Sequence, residues 1–168
     1  MFTVGILTIS DKGFRGERED RSGEVIREMV SELRASVAKY DIVPDEKDII
    51  CQRLKEWSDV VDVVITTGGT GLSQRDVTPE ATLAVVDRLA PGFAEAMRAE
   101  SLKRTPLAML SRGVCGMRGN TLIINLPGSP NGVRECLEAI LPALPHAIEV
   151  IKGEAGECAD REDLPHAH

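Results

Sequence analysis

Apolar residues recur along this chain with two alternating periods. Runs rich in β-branched residues at Phe2–Ile9, Ser36–Val43, Val60–Ile65 and Thr121–Leu126 are too short for helices and read as strands. Between them the spacing lengthens to that of a helix. From Ser22 onward, Val25, Ile26, Met29, Val30 and Leu33 form one stripe, and Ile49, Ile50, Leu54 and Trp57 form a second. Further helices are expected over Thr78–Leu89, with Leu83, Val86 and Leu89 facing inward, and over Pro91–Arg104. Another is expected over Asn131–Leu141, with Val133, Leu137 and Ile140 on one side; Pro142 and Pro145 then interrupt the chain before Ala147–Ile151. Strands alternating with helices predict an α/β fold: a doubly wound, mostly parallel sheet with helices on both faces. Residues 1–152 are expected to form one domain, and the acidic stretch 153–168 a disordered tail.

Three of the predicted strands end in polar turns: Ser10-Asp11-Lys12-Gly13, Thr66–Gly71 and Pro127-Gly128-Ser129. In a parallel sheet such turns share the carboxyl edge, where ligands of open α/β proteins bind. Gly68, Gly69 and Gly71 let the backbone turn tightly and bring its N–H groups close to an anion. The loop matches neither GxxxxGK[ST] nor GxGxxG, so it is neither a Walker loop nor a dinucleotide fingerprint. Taken alone, a steric turn explains it as well as a ligand does. Asp76 tips the balance, because a carboxylate beside a phosphate cradle is costly unless a cation lies between them. Thr78-Pro79-Glu80 and Ser129-Pro130 read as helix starts with a capping hydroxyl and an early proline. Asp45, at a strand-to-helix junction, reads first as a helix cap; the alternative is a divalent metal shared with Asp76. Arg15–Arg21 reads as an exposed charged loop and Gly113–Asn120 as a hairpin or crossing turn. For Arg75 and Arg112, phosphate contact and surface charge both remain open.

Composition narrows the classes. With 168 residues, 42% hydrophobic and 28% charged, the chain suits one soluble domain with a sizeable core. Aromatics at 3% leave no stacking platform for single strands, and a net charge of −7 disfavours nucleic acid as a partner. Cys51, Cys115, Cys136 and Cys158 form no CxxC pair and read as reduced thiols. There is no signal-peptide pattern and no apolar run near the ~20 residues that span a bilayer. A cytoplasmic protein is expected. His146 reads as a packed helix residue, and His166 and His168 as inert.

Several long motifs then occur in order: TTGGTG, RDVTPEAT, PGFAEAMR, LSR and TLIINLPGSP, with EDRSG and LPALPHAI beside them. Together they resemble the molybdopterin adenylyltransferase (MogA/MoaB) family, most of all the gephyrin-type G-domain, over Thr3–Lys152. The resemblance implies molybdenum cofactor biosynthesis: Mg²⁺-dependent adenylylation of molybdopterin by ATP, giving adenylyl-molybdopterin and pyrophosphate. It also implies a homotrimer and hand-over of the product to a molybdenum-insertion protein. By motif match, the family's functional aspartates fall on Asp45 and Asp76, which would hold Mg²⁺, and its LSR serine falls on Ser111. The nucleotide- and pterin-binding loops fall on Ser10 and Asp11, on Gly68, Gly69, Thr70 and Gly71, and on Pro127, Gly128 and Ser129. Two other readings stand beside the enzyme: a paralogue that binds molybdopterin without adenylylating it, and a self-associating scaffold module.

Overall fold

Six strands build one sheet in the order β2-β1-β3-β6-β5-β4. They are β1 (Phe2–Ile9), β2 (Ala35–Val43), β3 (Val63–Thr67), β4 (Arg88–Leu89), β5 (Cys115–Arg118) and β6 (Thr121–Leu126). The pairings β1–β2, β1–β3 and β3–β6 are parallel, and β4–β5 and β5–β6 are antiparallel. The helices are α1 (Asp11–Phe14), α2 (Arg21–Ser31), α3 (Lys47–Ser58), α4 (Thr78–Val85), α5 (Pro91–Leu102), α6 (Pro130–Ile140) and α7 (Leu144–Ile151), with a 3₁₀ turn at Pro106–Leu110. This computed structural model describes residues 1–156. Most of the expected tail, with Cys158, His166 and His168, therefore lies outside the described residues.

The sheet is covered on both faces, as the alternating pattern predicts. One core joins Phe2, Val4 and Ile6 of β1 to Ile26 and Val30 of α2, Met97 of α5, Leu137 of α6 and Ile148 of α7. The other joins Leu7 and Ile9 to Ile50, Leu54 and Trp57 of α3 and to Ala81 and Val85 of α4. Alternation along β1 thus feeds two cores, because successive side chains of a strand point to opposite faces. The single tryptophan explains Gly5: a Cβ there would stand 2.7 Å from Trp57 Cε3.

Several boundaries differ from the sequence reading. The strand expected from Val60 begins at Val63, because the N–H groups of Val60 and Val61 still close the end of α3 on the Trp57 carbonyl. The helix expected to reach Leu89 stops at Val85. Val86 is extended, and Arg88–Leu89 instead pairs with β5, leaving Leu83 49% and Leu89 57% exposed rather than inward. Ile49, too, faces solvent. Gly113–Asn120 is a hairpin, but it carries the strand β5 before turning at Gly119, whose φ of +54° suits a residue without Cβ. His146 is half-buried on α7, with its ring nitrogen 3.4 Å from Glu149.

Candidate active site

The strand order places β1, β3 and β6 side by side and parallel, so their carboxyl ends meet at one edge. There the turns at Ser10, Gly68–Gly71 and Pro127–Ser129 come together, at the point where the chain reverses direction across the sheet. The glycine loop is tightly built. Gly68 (φ +97°) would bring a Cβ within 2.3 Å of the Ile9 carbonyl, and Gly69 (φ +67°) within 2.3 Å of Thr78 Oγ1. The Thr67 hydroxyl donates to the Pro127 carbonyl at 2.7 Å, tying the β3 and β6 loops together. Thr78 does not cap α4. Val77 holds the cap position, and the Thr78 hydroxyl donates to the Gly68 carbonyl at 2.9 Å, fastening the glycine loop to the helix. Ser129 does cap α6, its hydroxyl accepting from Gly132 N–H at 3.1 Å.

Two clefts open on this edge and share a wall made of Gly69, Asp76, Gly128 and Ser129. The larger, about 710 Å³, runs over Ser10, Asp45 and Gly68 to the Arg18–Ser22 segment. The smaller, about 480 Å³, runs over Thr70, Gly71, Ser111 and Pro127 to Met97 and Arg98 of α5 and Leu107 and Leu110 of the 3₁₀ turn. Of the catalytic and binding residues expected from the motifs, all but Asp11 line one cleft or both.

Asp11 stands behind Asp45. Its N–H donates to Asp45 Oδ2 at 3.0 Å, and its own Oδ1 accepts from the Asp45 N–H at 3.0 Å. Arg75 grips the Asp11 carboxylate through Nε and Nη2 at 3.0 and 2.9 Å and also reaches Glu46. Asp45 therefore does not cap α3, contrary to the first reading. Glu46 occupies that position without a side-chain bond, because the Asp45 carboxylate is engaged across the chain. The two acids are pushed in opposite directions. The Arg75 guanidinium holds Asp11 below the ordinary carboxylate range. Burial, followed by the nearby charges of Asp11 and Asp76, pushes Asp45 above it.

Asp76 Oδ2 accepts from the Ser73 N–H at 3.0 Å, and a Cβ on Gly71 would meet that oxygen at 2.8 Å. Arg112 holds this loop from below. Its Nε donates to the Gly71 carbonyl and its Nη2 to the Asp76 carbonyl, both at 2.8 Å, while Nη1 pairs with Glu80. This resolves Arg112 as a strut rather than a free surface charge. Ser111, next to it, lines the smaller cleft, its Oγ accepting from the Gly113 N–H at 3.4 Å, and Arg98 donates to the Ser111 and Gly113 carbonyls. Among the described residues no cluster of three His, Cys, Asp or Glu side chains forms a metal cage; Asp45 and Asp76 line the larger cleft without an ion-pair partner, as does Asp20, whose carboxylate is taken up by the Thr8 and Tyr40 hydroxyls and the Gly23 N–H.

Sequence reading missed other wall residues. Asn125 lines the smaller cleft, 2% exposed, with its amide donating to Thr66 and Thr82 and its carbonyl accepting from Val114 N–H. Its signal was available: an amide inside the apolar strand TLIINL. Ser22 donates to the Gly128 carbonyl at 2.7 Å and so ties α2 to the β6 loop. Of the Arg18–Ser22 wall, Glu19–Ser22 belongs to the EDRSG motif already noted, but nothing local in that motif or in Arg18 marks the segment as a cleft wall.

A doubly wound sheet with glycine turns, acids and two joined clefts at its switch point defines an α/β protein of the class that binds small ligands at the carboxyl edge of its sheet. Residues 5–146 match the family described as "probable molybdopterin binding domain", and the chain belongs to that family. A molybdopterin adenylyltransferase of Helicobacter pylori strain J99 is 48% identical over 89% of this chain and 88% of its own length. The gephyrin of Dictyostelium discoideum is 40% identical over 98% of this chain, which spans 24% of that longer protein. Among solved structures, the molybdopterin biosynthesis enzyme MoaB of Thermus thermophilus superposes with a TM-score of 0.87 at 56% identity, covering 91% of this chain and 98% of its own.

Proposed function

We propose that this chain is a molybdopterin adenylyltransferase of molybdenum cofactor biosynthesis, using ATP with Mg²⁺. The observation that carries the reading is the shared wall: two clefts that meet at Gly69, Asp76, Gly128 and Ser129 suit two substrates that must react where they touch. The smaller cleft, with Met97, Leu107 and Leu110, suits a flat ring system, and is assigned to molybdopterin. The larger, with serines, glycine amides and arginines, is assigned to the nucleotide.

In the reaction, an oxygen of the terminal phosphate of molybdopterin attacks the α-phosphorus of ATP. A new O–P bond forms, the bond from the α-phosphorus to the bridging oxygen breaks, and pyrophosphate leaves with that electron pair. The nucleophile is already anionic, so no base is required. The chain's work is to align two anions and offset their charge. Gly69–Gly71 supply backbone donors at the junction, the Gly68 N–H being used on the Leu126 carbonyl, and Ser111 orients the molybdopterin side. Asp45 and Asp76 fit Mg²⁺, which is commonly held by one or two carboxylates together with substrate phosphates. Burial, and after it the charges of Asp11 and Asp76, raises Asp45, and a cation there would offset these costs. When bound, Mg²⁺ supplies charge neutralisation at the phosphate oxygens.

A homotrimer belongs to the same proposal. Leu72, Leu83, Leu89, Leu107 and Met109 are 49–68% exposed, which supports burial against further copies. No described helix is long and apolar enough to cross a membrane, and Cys51, Cys115 and Cys136 are free thiols, which supports a cytoplasmic setting. The activated adenylate would then pass to a molybdenum-insertion protein. The experiment is an assay of purified protein with molybdopterin, ATP and Mg²⁺, following adenylylated pterin and pyrophosphate. Product that requires all three supports the enzyme. Tight molybdopterin binding without product establishes the binding-only paralogue instead.

A further inference from the structure

Arginines are the natural counter-charges for phosphate, yet most of those at this site are already spent. Arg112 uses all three guanidinium nitrogens on the Gly71–Glu80 segment. Arg75 is committed to Asp11 and Glu46. Arg98 turns Nη1 to the Ser111 and Gly113 carbonyls and lies in the smaller cleft. In the larger cleft two arginines stand in the wall, Arg18 and Arg21, and Arg21 has Glu19 3.7 Å from its Nε. Arg18 has no hydrogen-bonded or ion-pair partner among the described residues.

The segment that carries Arg18 is an exposed charged loop, as its sequence suggests, but it is anchored on both sides. Before Arg18, Gly16 N–H donates to the Gly13 carbonyl at 3.1 Å and Glu17 N–H to the Lys12 carbonyl at 2.9 Å. After it, Asp20 caps α2 through Gly23 N–H at 2.9 Å and accepts from the hydroxyls of Thr8, at 2.7 Å, and Tyr40. Arg27 stacks over the Tyr40 ring, 5.3 Å from its centroid. The chain on either side of Arg18 is thereby held, with Asp20 tied to Thr8 of β1.

Direction supplies the second half of the argument. Attacking and leaving oxygens lie on opposite sides of the phosphorus in an in-line displacement. If molybdopterin reaches the shared wall from the smaller cleft, pyrophosphate must leave toward the part of the larger cleft remote from that wall. Arg18 lines the larger cleft and not the smaller one. We infer that Arg18 is the binding residue for the β- and γ-phosphates of the nucleotide and for the departing pyrophosphate. This rests on the adenylyltransferase reading above and adds to it the residue that distinguishes a triphosphate from a monophosphate.

The test is calorimetric titration of the full chain, wild type and Arg18→Ala, with ATP and with AMP, each with Mg²⁺ present. In the wild type ATP should bind more tightly than AMP. Arg18→Ala should weaken ATP about tenfold and AMP less than about twofold, as loss of one charge-assisted phosphate contact predicts. Arg18→Lys should recover part of the ATP affinity, and inhibition by pyrophosphate should weaken in parallel with ATP. An Arg18→Ala protein that keeps the wild-type ATP preference, or loses ATP and AMP equally, overturns the inference while leaving the enzyme reading intact. Wild-type protein that binds neither nucleotide overturns both. Because Arg18 is exposed and contributes no packing, an unchanged circular dichroism spectrum is expected of each variant.

Discussion

Asp11 and Asp45 hold each other by reciprocal bonds, the backbone N–H of each donating to the carboxylate of the other at 3.0 Å. One acid of the pair is charge-compensated by Arg75 and the other faces the larger cleft. The pair divides labour: Asp11 fixes the rotamer and backbone of Asp45, and Asp45 keeps its other oxygen free of hydrogen bonds, which on the proposed function is the oxygen that would hold the cation. Positioning groups behind a metal-holding carboxylate typically matter about 10–100-fold for metal affinity. Asp11→Ala keeps the N–H that holds Asp45 Oδ2 but removes the carboxylate that anchors the Asp45 backbone and carries Arg75; it should raise the Mg²⁺ concentration needed for half-maximal adenylylation by about tenfold, with molybdopterin affinity unchanged. A Mg²⁺ titration of the rate that superposes on wild type would remove Asp11 from this role.

Asp45 yields a pH prediction of definite sign. Its folded value is raised above its unfolded one, chiefly by burial and then by the Asp11 and Asp76 charges. The folded state therefore holds the proton more tightly, so ionising Asp45 costs stability in the metal-free protein above the raised value. That cost disappears as pH falls through it toward the ordinary carboxylate range. Asp45→Asn keeps an oxygen to accept from Asp11 N–H but carries no charge. Half-burial moderates the effect, so the metal-free variant should melt at a slightly higher temperature than wild type at neutral pH. The gain should vanish in mildly acid buffer, and adenylylation should be lost throughout. Thermal melts across pH, with and without Mg²⁺, decide it; an equal Tm at neutral pH would show that Asp45 bears no excess charge.

Asp76 is the acid common to both clefts. Asp76→Ala should lower turnover by about a hundredfold or more, since charge neutralisation at transferring phosphate contributes several kcal/mol. Molybdopterin binding, proposed above for the far side of the smaller cleft, should survive. Near wild-type turnover in this variant would end the assignment of Asp76 to the cation.

The legible parts of the fold share a physical cause. β1 and β6 begin and end where their apolar runs do, because each is buried on both faces and its sequence answers to nothing else. β4 and β5 were hidden. Arg88–Leu89 owes its extended shape to pairing with Gly116 and Met117 at long range, and no two-residue pattern encodes that. The site's turns were visible as glycines and Ser-Asp pairs at strand ends, since close backbone approach restricts residue type. Asp45 was misjudged as a cap because its true partner lies 34 residues away in sequence. The wall carrying Arg18 was unreadable for the same reason: it is built by folding a polar loop over β1, where Asp20 meets Thr8 and Tyr40.

Arg112 separates two roles that the sequence left open. As a phosphate ligand, its loss would weaken ATP binding and leave the fold unchanged. As the strut seen here, it ties Gly71, Asp76 and Glu80 into one unit, with its own N–H donating to the Thr70 carbonyl at 2.8 Å. That backbone bond survives any substitution, whereas the three guanidinium contacts do not. Arg112→Ala should therefore cost about 1–2 kcal/mol of stability, discounted because the Glu80 pair is partly exposed. It should also lower kcat by about tenfold through a displaced Asp76, with ATP affinity nearly unchanged. Arg112→Lys can restore one contact of the three and should recover little. Thermal melts beside an ATP titration make the choice: a lowered Tm with retained ATP affinity fits the strut, and an unchanged Tm with lost ATP affinity would overturn it.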